Sequence, residues 1–219
     1  MLFRSATFPV IQSTTSIVYN SWVHLAVVRS SGVITLYING VANGTYSFSG
    51  ALNGAGTAFT IGLSGDVPTT SFINGYISNL RVVKGTAIYT GAFTPGTLPL
   101  QAVANTTLLT CQSGQFVDNS FNNAAVTVNG SPKVQKYSPF SITTLPTPYY
   151  SAYFNNTNSD YLSPASNGNL AFGSNAYTVE FWIFMASYTN SNNRVVELGS
   201  ANNSFGVQVN NTGTISITK

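Results

Sequence analysis

Five carboxylates make up the whole acidic inventory of the chain: Asp66, Asp118, Asp160, Glu180 and Glu197. Hydrolysis of a glycosidic bond uses a pair of carboxylates about 5–10 Å apart. Here no two acids share one strand-length run. Glu180 stands alone in VEFWIF and is expected to be satisfied by a neighbouring arginine or backbone amide. Glu197, in VVELG, is expected to pair with a base such as Arg194 or Arg81. His24 is the single histidine and Cys111 the single cysteine. One of each cannot supply a zinc set of three or four N/S ligands, nor a disulfide. His24 lies mid-strand and no Gly-x-Ser-x-Gly elbow occurs, so a serine triad is not expected either. Cys111, beside Leu108, Leu109 and Thr110, reads as a small core residue. The expectation is a protein that is not an enzyme.

Sugar binding asks for different residues: aromatic faces to stack on rings, with amides and hydroxyls to read their hydroxyl groups. The chain has 12 Tyr, 14 Phe and 2 Trp. Most fall on extended runs, and Trp22 and Trp182 are expected in the core. The loop candidates for glycan contact are Tyr188 with Asn190, Asn192 and Asn193 in SYTNSNNR, and Asn53 with Thr69 and Thr70.

The elements that must position these residues are strands. Only 6% of the 219 residues are charged while 43% are apolar. An average soluble domain carries about 25% charge. Ser, Thr, Asn and Gly stand in for the missing charges. That composition excludes a disordered chain or a coiled coil, and favours an all-β protein with many tight turns. No apolar run reaches the roughly 18–20 residues that span a bilayer, and no secretory signal is visible at the start. The formal charge is +3, but the eight basic residues are scattered singly. They form no stripe to track a phosphate backbone, so nucleic acid is not an expected partner.

Residues 22–30, WVHLAVVRS, carry apolar side chains on both parities, which predicts a strand covered on both faces. Asn39-Gly40, between LYI and VANG, is the strongest hairpin signal, because both residues tolerate the positive φ of a type I′ turn. Further strands are expected at 57–63, 72–85, 106–113, 149–156, 160–164, 177–187, 194–200, 204–210 and 213–219. Residues 114–148 are Asn-, Ser- and Pro-rich and read as an extended connector with one short β signal at 124–130.

DYLSP, a Gly-rich spacer and YTVEFWIF resemble the front half of a laminin-G-like, concanavalin A-like jelly-roll β-sandwich. WVHLAVVR, LYINGVANG, TIG and FINGYISNLRVVKGTAIYT resemble its back half. The stretch from TTLLTCQS to VQKYSPF resembles the sequence that joins such domains in tandem in virion (tail fibre) proteins of marine bacteriophages. The order is inverted. Back-half strands occupy 1–113 and front-half strands 149–219, with the connector 114–148 between them. The halves then belong either to one circularly permuted domain or to neighbours in a tandem array. Closure is the expectation, because a half-sandwich would expose an apolar sheet face and unpaired edges. It requires 177–186 beside 72–84, and 149–156 near 106–112.

The resemblance implies a non-catalytic carbohydrate-binding or adhesion module on a virion or in the extracellular space. Its partners would be cell-surface glycan and neighbouring virion subunits or further copies of itself. The alternative is a purely structural spacer without a glycan site, with a glycoside hydrolase third. Glucanases of this fold carry a Glu-x-Asp-x-x-Glu strand, which is absent here. Some similar domains hold Ca²⁺ at a sandwich rim, and Asp66 in SGDVPTT and Asp160 in NSDY could supply hard oxygen ligands. The first expectation for both acids is a turn-forming role with local hydrogen bonds.

Overall fold

The computed structural model describes residues 9–52, 59–63, 71–140, 149–165, 168–187, 192–199 and 204–219. Fifteen strands and no helix occur among them. They are β1 (Pro9–Ser16), β2 (Trp22–Ser30), β3 (Val33–Ile38), β4 (Val41–Ser47), β5 (Phe59–Ile61), β6 (Asn74–Lys84), β7 (Thr106–Thr110) and β8 (Val126–Asn129). There follow β9 (Lys133–Gln135), β10 (Ser151–Phe154), β11 (Tyr161–Pro164), β12 (Tyr177–Ser187), β13 (Asn192–Leu198), β14 (Phe205–Asn210) and β15 (Thr214–Thr218).

The strands form two antiparallel sheets stacked as a sandwich. One has seven strands in the order β1-β15-β14-β13-β5-β11-β8. The other has eight, in the order β4-β3-β2-β12-β6-β10-β9 with β7 also on β6. Strands from both ends of the chain interleave in each sheet. β12 sits between β2 and β6, and β1 pairs with β15, bringing Pro9 opposite Thr218. Residues 149–156 and 106–112 do not pair with each other. β10 takes Gly75–Ile77 of β6 and β7 takes Leu80–Val83, end to end along the same edge. The connector also builds more than one short strand. β8 joins β11 in one sheet and β9 joins β10 in the other, so 130–132 carries the chain around the sandwich edge.

Tight turns set the register. Ser31-Gly32 (φ 48° and 77°) and Asn39-Gly40 (φ 49° and 79°) place two left-handed residues between paired strands, as type I′ hairpins require. On one side of the sandwich Asn43 of β4 ties the two sheets together. Its Oδ1 accepts from the N–H groups of Thr14 and Thr15 in β1 (2.8 and 3.2 Å), and its Nδ2 donates to Thr15 Oγ1 (2.8 Å). This side-chain bridge covers edges that charged residues usually protect.

Between the sheets lies one continuous apolar core. Phe59, Phe154, Phe172, Tyr177, Phe181 and Phe205 are fully buried in it. Burying each such ring contributes about 1.5–3 kcal/mol. Phe172 stacks on Tyr177 at 4.4 Å, and both meet Phe205 edge-on. Cys111 is buried here too, and burial pushes its thiol up to about 12, so it stays protonated and packs as an apolar group.

Candidate functional site

Side chains alternate across a strand, so each core-facing residue fixes an outward neighbour. In β2, Val23, Leu25 and Val27 face the core, which turns Trp22, His24, Ala26 and Val28 outward. In β12, Val179, Phe181, Ile183 and Met185 face the core, which turns Thr178, Glu180, Trp182 and Phe184 outward. Cross-strand register then lines these residues up in rows over the outer face of the eight-stranded sheet.

One row is aromatic. Trp22 lies opposite Phe184, Phe184 opposite Tyr76, and Tyr76 opposite Tyr153. Their ring centroids are 5.7, 5.7 and 4.9 Å apart in that order. The row crosses β2, β12, β6 and β10, a span of roughly 14 Å at three strand spacings. All four rings are only partly buried, and Lys133 continues the row on β9. Burial, then the neighbouring Tyr153 and Tyr137 phenols, raise the Tyr76 hydroxyl above its ordinary value, so the Tyr76 phenol is uncharged at neutral pH.

The row of Ala26, Glu180 and Arg81 is charged and buried. Arg81 donates from Nε and Nη2 to Glu180 Oε1 (2.9 and 2.6 Å). The other oxygen, Oε2, accepts from the Tyr89 hydroxyl (2.8 Å) and lies 3.3 Å from His24 Nε2. Burial by itself would raise the Glu180 carboxyl. The His24 hydrogen bond and the Arg81 charge outweigh it, helped by Tyr89, and hold the group below its ordinary value. Between the two rows lie His24, Trp182 and Ser78, with the Trp182 ring edge-on to His24 at 5.2 Å.

Two segments cross this face. Residues 86–103 cover the charged row. Thr178 Oγ1 accepts from Ile88 N–H and donates to Thr86 O, Asn79 Oδ1 accepts from Leu100 N–H, and Arg81 Nη1 donates to Gln101 O (2.7–3.2 Å). Phe93 N–H donates to Gly40 O, and the Phe93 and Tyr89 rings stack at 3.6 Å. Residues 136–140 cross the aromatic half. Tyr137 rests against Trp22, Tyr76 and Phe184 at 5.4, 5.0 and 5.2 Å, and Phe140 meets Trp182 at 5.9 Å.

The outer face of the seven-stranded sheet differs. Arg194, Glu197, Gln208, Ser216, Thr218 and Thr60 lie on it, all buried. Arg194 donates to Thr218 Oγ1 (2.6 Å) and its Nε lies 3.6 Å from Glu197 Oε2. Gly206 makes room for the guanidinium, since a Cβ there would lie 2.3 Å from Arg194 Nη1.

Several expected site residues do other work. Asn193 is fully buried and its Nδ2 donates to Val209 O (3.0 Å), so it ties β13 to β14 and offers no amide to a surface ligand. Asp160 is fully buried. Its Oδ1 accepts from Ser131 N–H (2.6 Å) and its Oδ2 from Asn155 N–H (2.9 Å), which fixes the sheet-crossing turn instead of presenting a cation ligand. Gly130 is required beside it, because at φ 73° a Cβ would lie 2.5 Å from Asp160 Oδ1. No three His, Cys, Asp or Glu come together among the described residues. Tyr188, Asn190, Asn53, Asp66, Thr69 and Thr70 lie outside the described residues, as does the Asn192 side chain. Trp22 and Trp182, expected in the core, stand half-buried on the outer face instead. The aromatic row itself was not anticipated. Its available signal was Glu180, since a carboxylate of the same parity as Trp182 and Phe184 marks their face as the outward one.

The architecture defines the class: an all-β sandwich of two antiparallel sheets, consistent with a concanavalin A-like jelly roll. Residues 3–95 match the family model described as the concanavalin A-like lectin/glucanases superfamily. No curated protein and no solved structure matches the chain. No helix among the described residues is long and apolar enough to cross a membrane.

Proposed function

We propose that the chain is a non-catalytic carbohydrate-binding module whose Trp22–Phe184–Tyr76–Tyr153 row stacks against sugar rings. The observation that carries this reading is the row itself: four registered, partly exposed rings with no carboxylate among them. Aromatic faces of this kind match the apolar faces of pyranose rings, and the Tyr hydroxyls and Trp22 indole N–H supply polar contacts.

A non-catalytic role is supported by where the described acids are spent. Glu180 is enclosed by Arg81, Tyr89 and His24. Glu197 sits buried beside Arg194. Asp118 and Asp160 accept backbone N–H groups at 2.6–3.0 Å. The reading calls on no metal or cofactor. The β1–β15 pairing supports a single circularly permuted body. The resemblance of 106–140 to joining sequences of phage virion proteins supports a place on a virion appendage that attaches to cell-surface glycan. Phe121, 82% exposed, is the natural contact for a neighbouring subunit or a second copy.

A glycan array tests the proposal. Reproducible binding is expected for the native chain and is lost in Trp22→Ala and in Tyr153→Ala, with Phe121→Ser unaffected. An array that stays silent for the native chain leaves a structural module in its place.

A further inference from the structure

Tyr137 lies over the middle of the aromatic row. Its ring meets Trp22, Tyr76 and Phe184 at 5.0–5.4 Å, edge-on to Tyr76 and Phe184, and its side chain remains 41% exposed. Residues 136–140 are held there in an unusual way. Among the described residues no backbone hydrogen bond joins them to the sheet. Their polar contacts are internal, between Ser138 Oγ and the Phe140 N–H and C=O (3.3 Å each). The Tyr137 and Phe140 rings touch the face. Segment 86–103 is tied to the same sheet by hydrogen bonds at Thr178, Glu180, Asn79, Arg81 and Gly40. The indole Nε1 of Trp22, whose ring Tyr137 touches, is buried without a hydrogen-bond acceptor among the described residues. A buried N–H left unpaired is costly, and an acceptor brought to it would recover that cost.

We infer that Tyr137 is a displaceable cover that occupies the sugar position of the aromatic row. A flat ring leaning on Trp22, Phe184 and Tyr76 resembles a pyranose in shape and in apolar contact, but the Tyr137 hydroxyl does not accept from Trp22 Nε1–H. A sugar hydroxyl or ring oxygen supplies an acceptor. The incoming ligand is therefore an uncharged pyranose unit that replaces Tyr137 contact for contact and adds one hydrogen bond. Because no hydrogen bond among the described residues ties 136–140 to the sheet, displacement breaks ring contacts and leaves the strand ladder intact. This inference rests on the glycan-binding reading above.

Affinity electrophoresis in soluble β-glucan, mannan, galactan and dextran tests it, with native chain, Tyr137→Ala, Tyr137→Phe and Trp22→Ala compared. Whichever polysaccharide retards the native chain is expected to bind Tyr137→Ala at least threefold tighter. Tyr137→Phe, which keeps the cover, should stay within twofold of native, and Trp22→Ala should lose retardation. Equal or weaker binding by Tyr137→Ala overturns the cover while leaving the glycan reading standing. No retardation of native chain or Tyr137→Ala in any of the four overturns both. Acrylamide quenching in a Trp182→Phe background checks the geometry without a ligand. Trp22 fluorescence must become at least twofold more quenchable in Tyr137→Ala, and an unchanged value contradicts the cover.

Discussion

Segments 86–103 and 136–140 cross the same sheet face, over the same three central strands, yet different forces hold them. The first lies on Glu180, Arg81 and Thr178: Glu180 and Thr178 accept from it and Arg81 donates to it. The second lies on Trp22, Phe184 and Tyr76, and receives only ring contacts. The lesson is about cost. Charged side chains on a sheet face are costly to bury without partners, so whatever covers them becomes part of their solvation. Aromatic rings, the Trp22 indole N–H apart, make no such demand, and their cover can leave at the price of some contact area. One half of the face is thereby structural and the other is free to be exchanged for a ligand.

Removing Glu180 should be the largest blow to this contrast. Glu180→Ala strands Arg81 in a buried site and should cost about 3–5 kcal/mol in urea unfolding, as for a broken buried pair. An effect below about 1 kcal/mol would mean that the charged half is not what fastens 86–103. The same carboxylate sets a pH dependence. Its folded pKa lies below the ordinary 4.5, so its contribution is fully present above pH 4.5 and is lost as pH falls through the lower folded value. Stability should fall on acidification below 4.5, more steeply in the native chain than in Glu180→Gln.

Gly40→Ala attacks the tie in the middle of 86–103. A Cβ there would lie 1.7 Å from Phe93 O, at φ 79°. The segment or the hairpin must move, at about 1–3 kcal/mol, and amide exchange should quicken at Phe93. Tyr89→Phe removes one charge-assisted bond and should cost about 1.5 kcal/mol, with 86–103 still in place. The smallest loss belongs to the other segment: Tyr137→Ala should cost about 1 kcal/mol, the scale of aromatic pair contacts. A loss as large as that of Tyr89→Phe or larger would erase the contrast.

Much of the sandwich was legible in the sequence. Asn39-Gly40 marked its hairpin, and the two-parity apolar pattern of 22–30 marked a strand covered on both sides. The covering agent on the second side, however, is loop 86–103, which has no period to read. β8 lies within the short β signal at 124–130, but β9 was hidden in 114–148 because a strand of three residues, two of them polar, has little alternation to show. β1, PVIQSTTS, was missed for the same reason, since six of its residues carry no periodic apolar signal and its partner β15 lies at the opposite end of the chain. The candidate site was harder still. In YTVEFWIFMAS nearly every position is apolar or aromatic, so composition does not say which parity faces the core. Asn193 and Asp160 read in sequence as polar residues near turns, and long-range strand pairing makes both internal hydrogen-bond partners.

The central claim is that Trp22 touches the ligand. The chain has two tryptophans, so a proton–nitrogen correlation spectrum holds two indole Nε1–H signals, assigned by the Trp22→Phe and Trp182→Phe variants. On titration with a polysaccharide that binds, the Trp22 signal should move downfield as its unpaired N–H gains an acceptor, while that of Trp182 moves less. Binding that leaves the Trp22 signal in place would contradict the account.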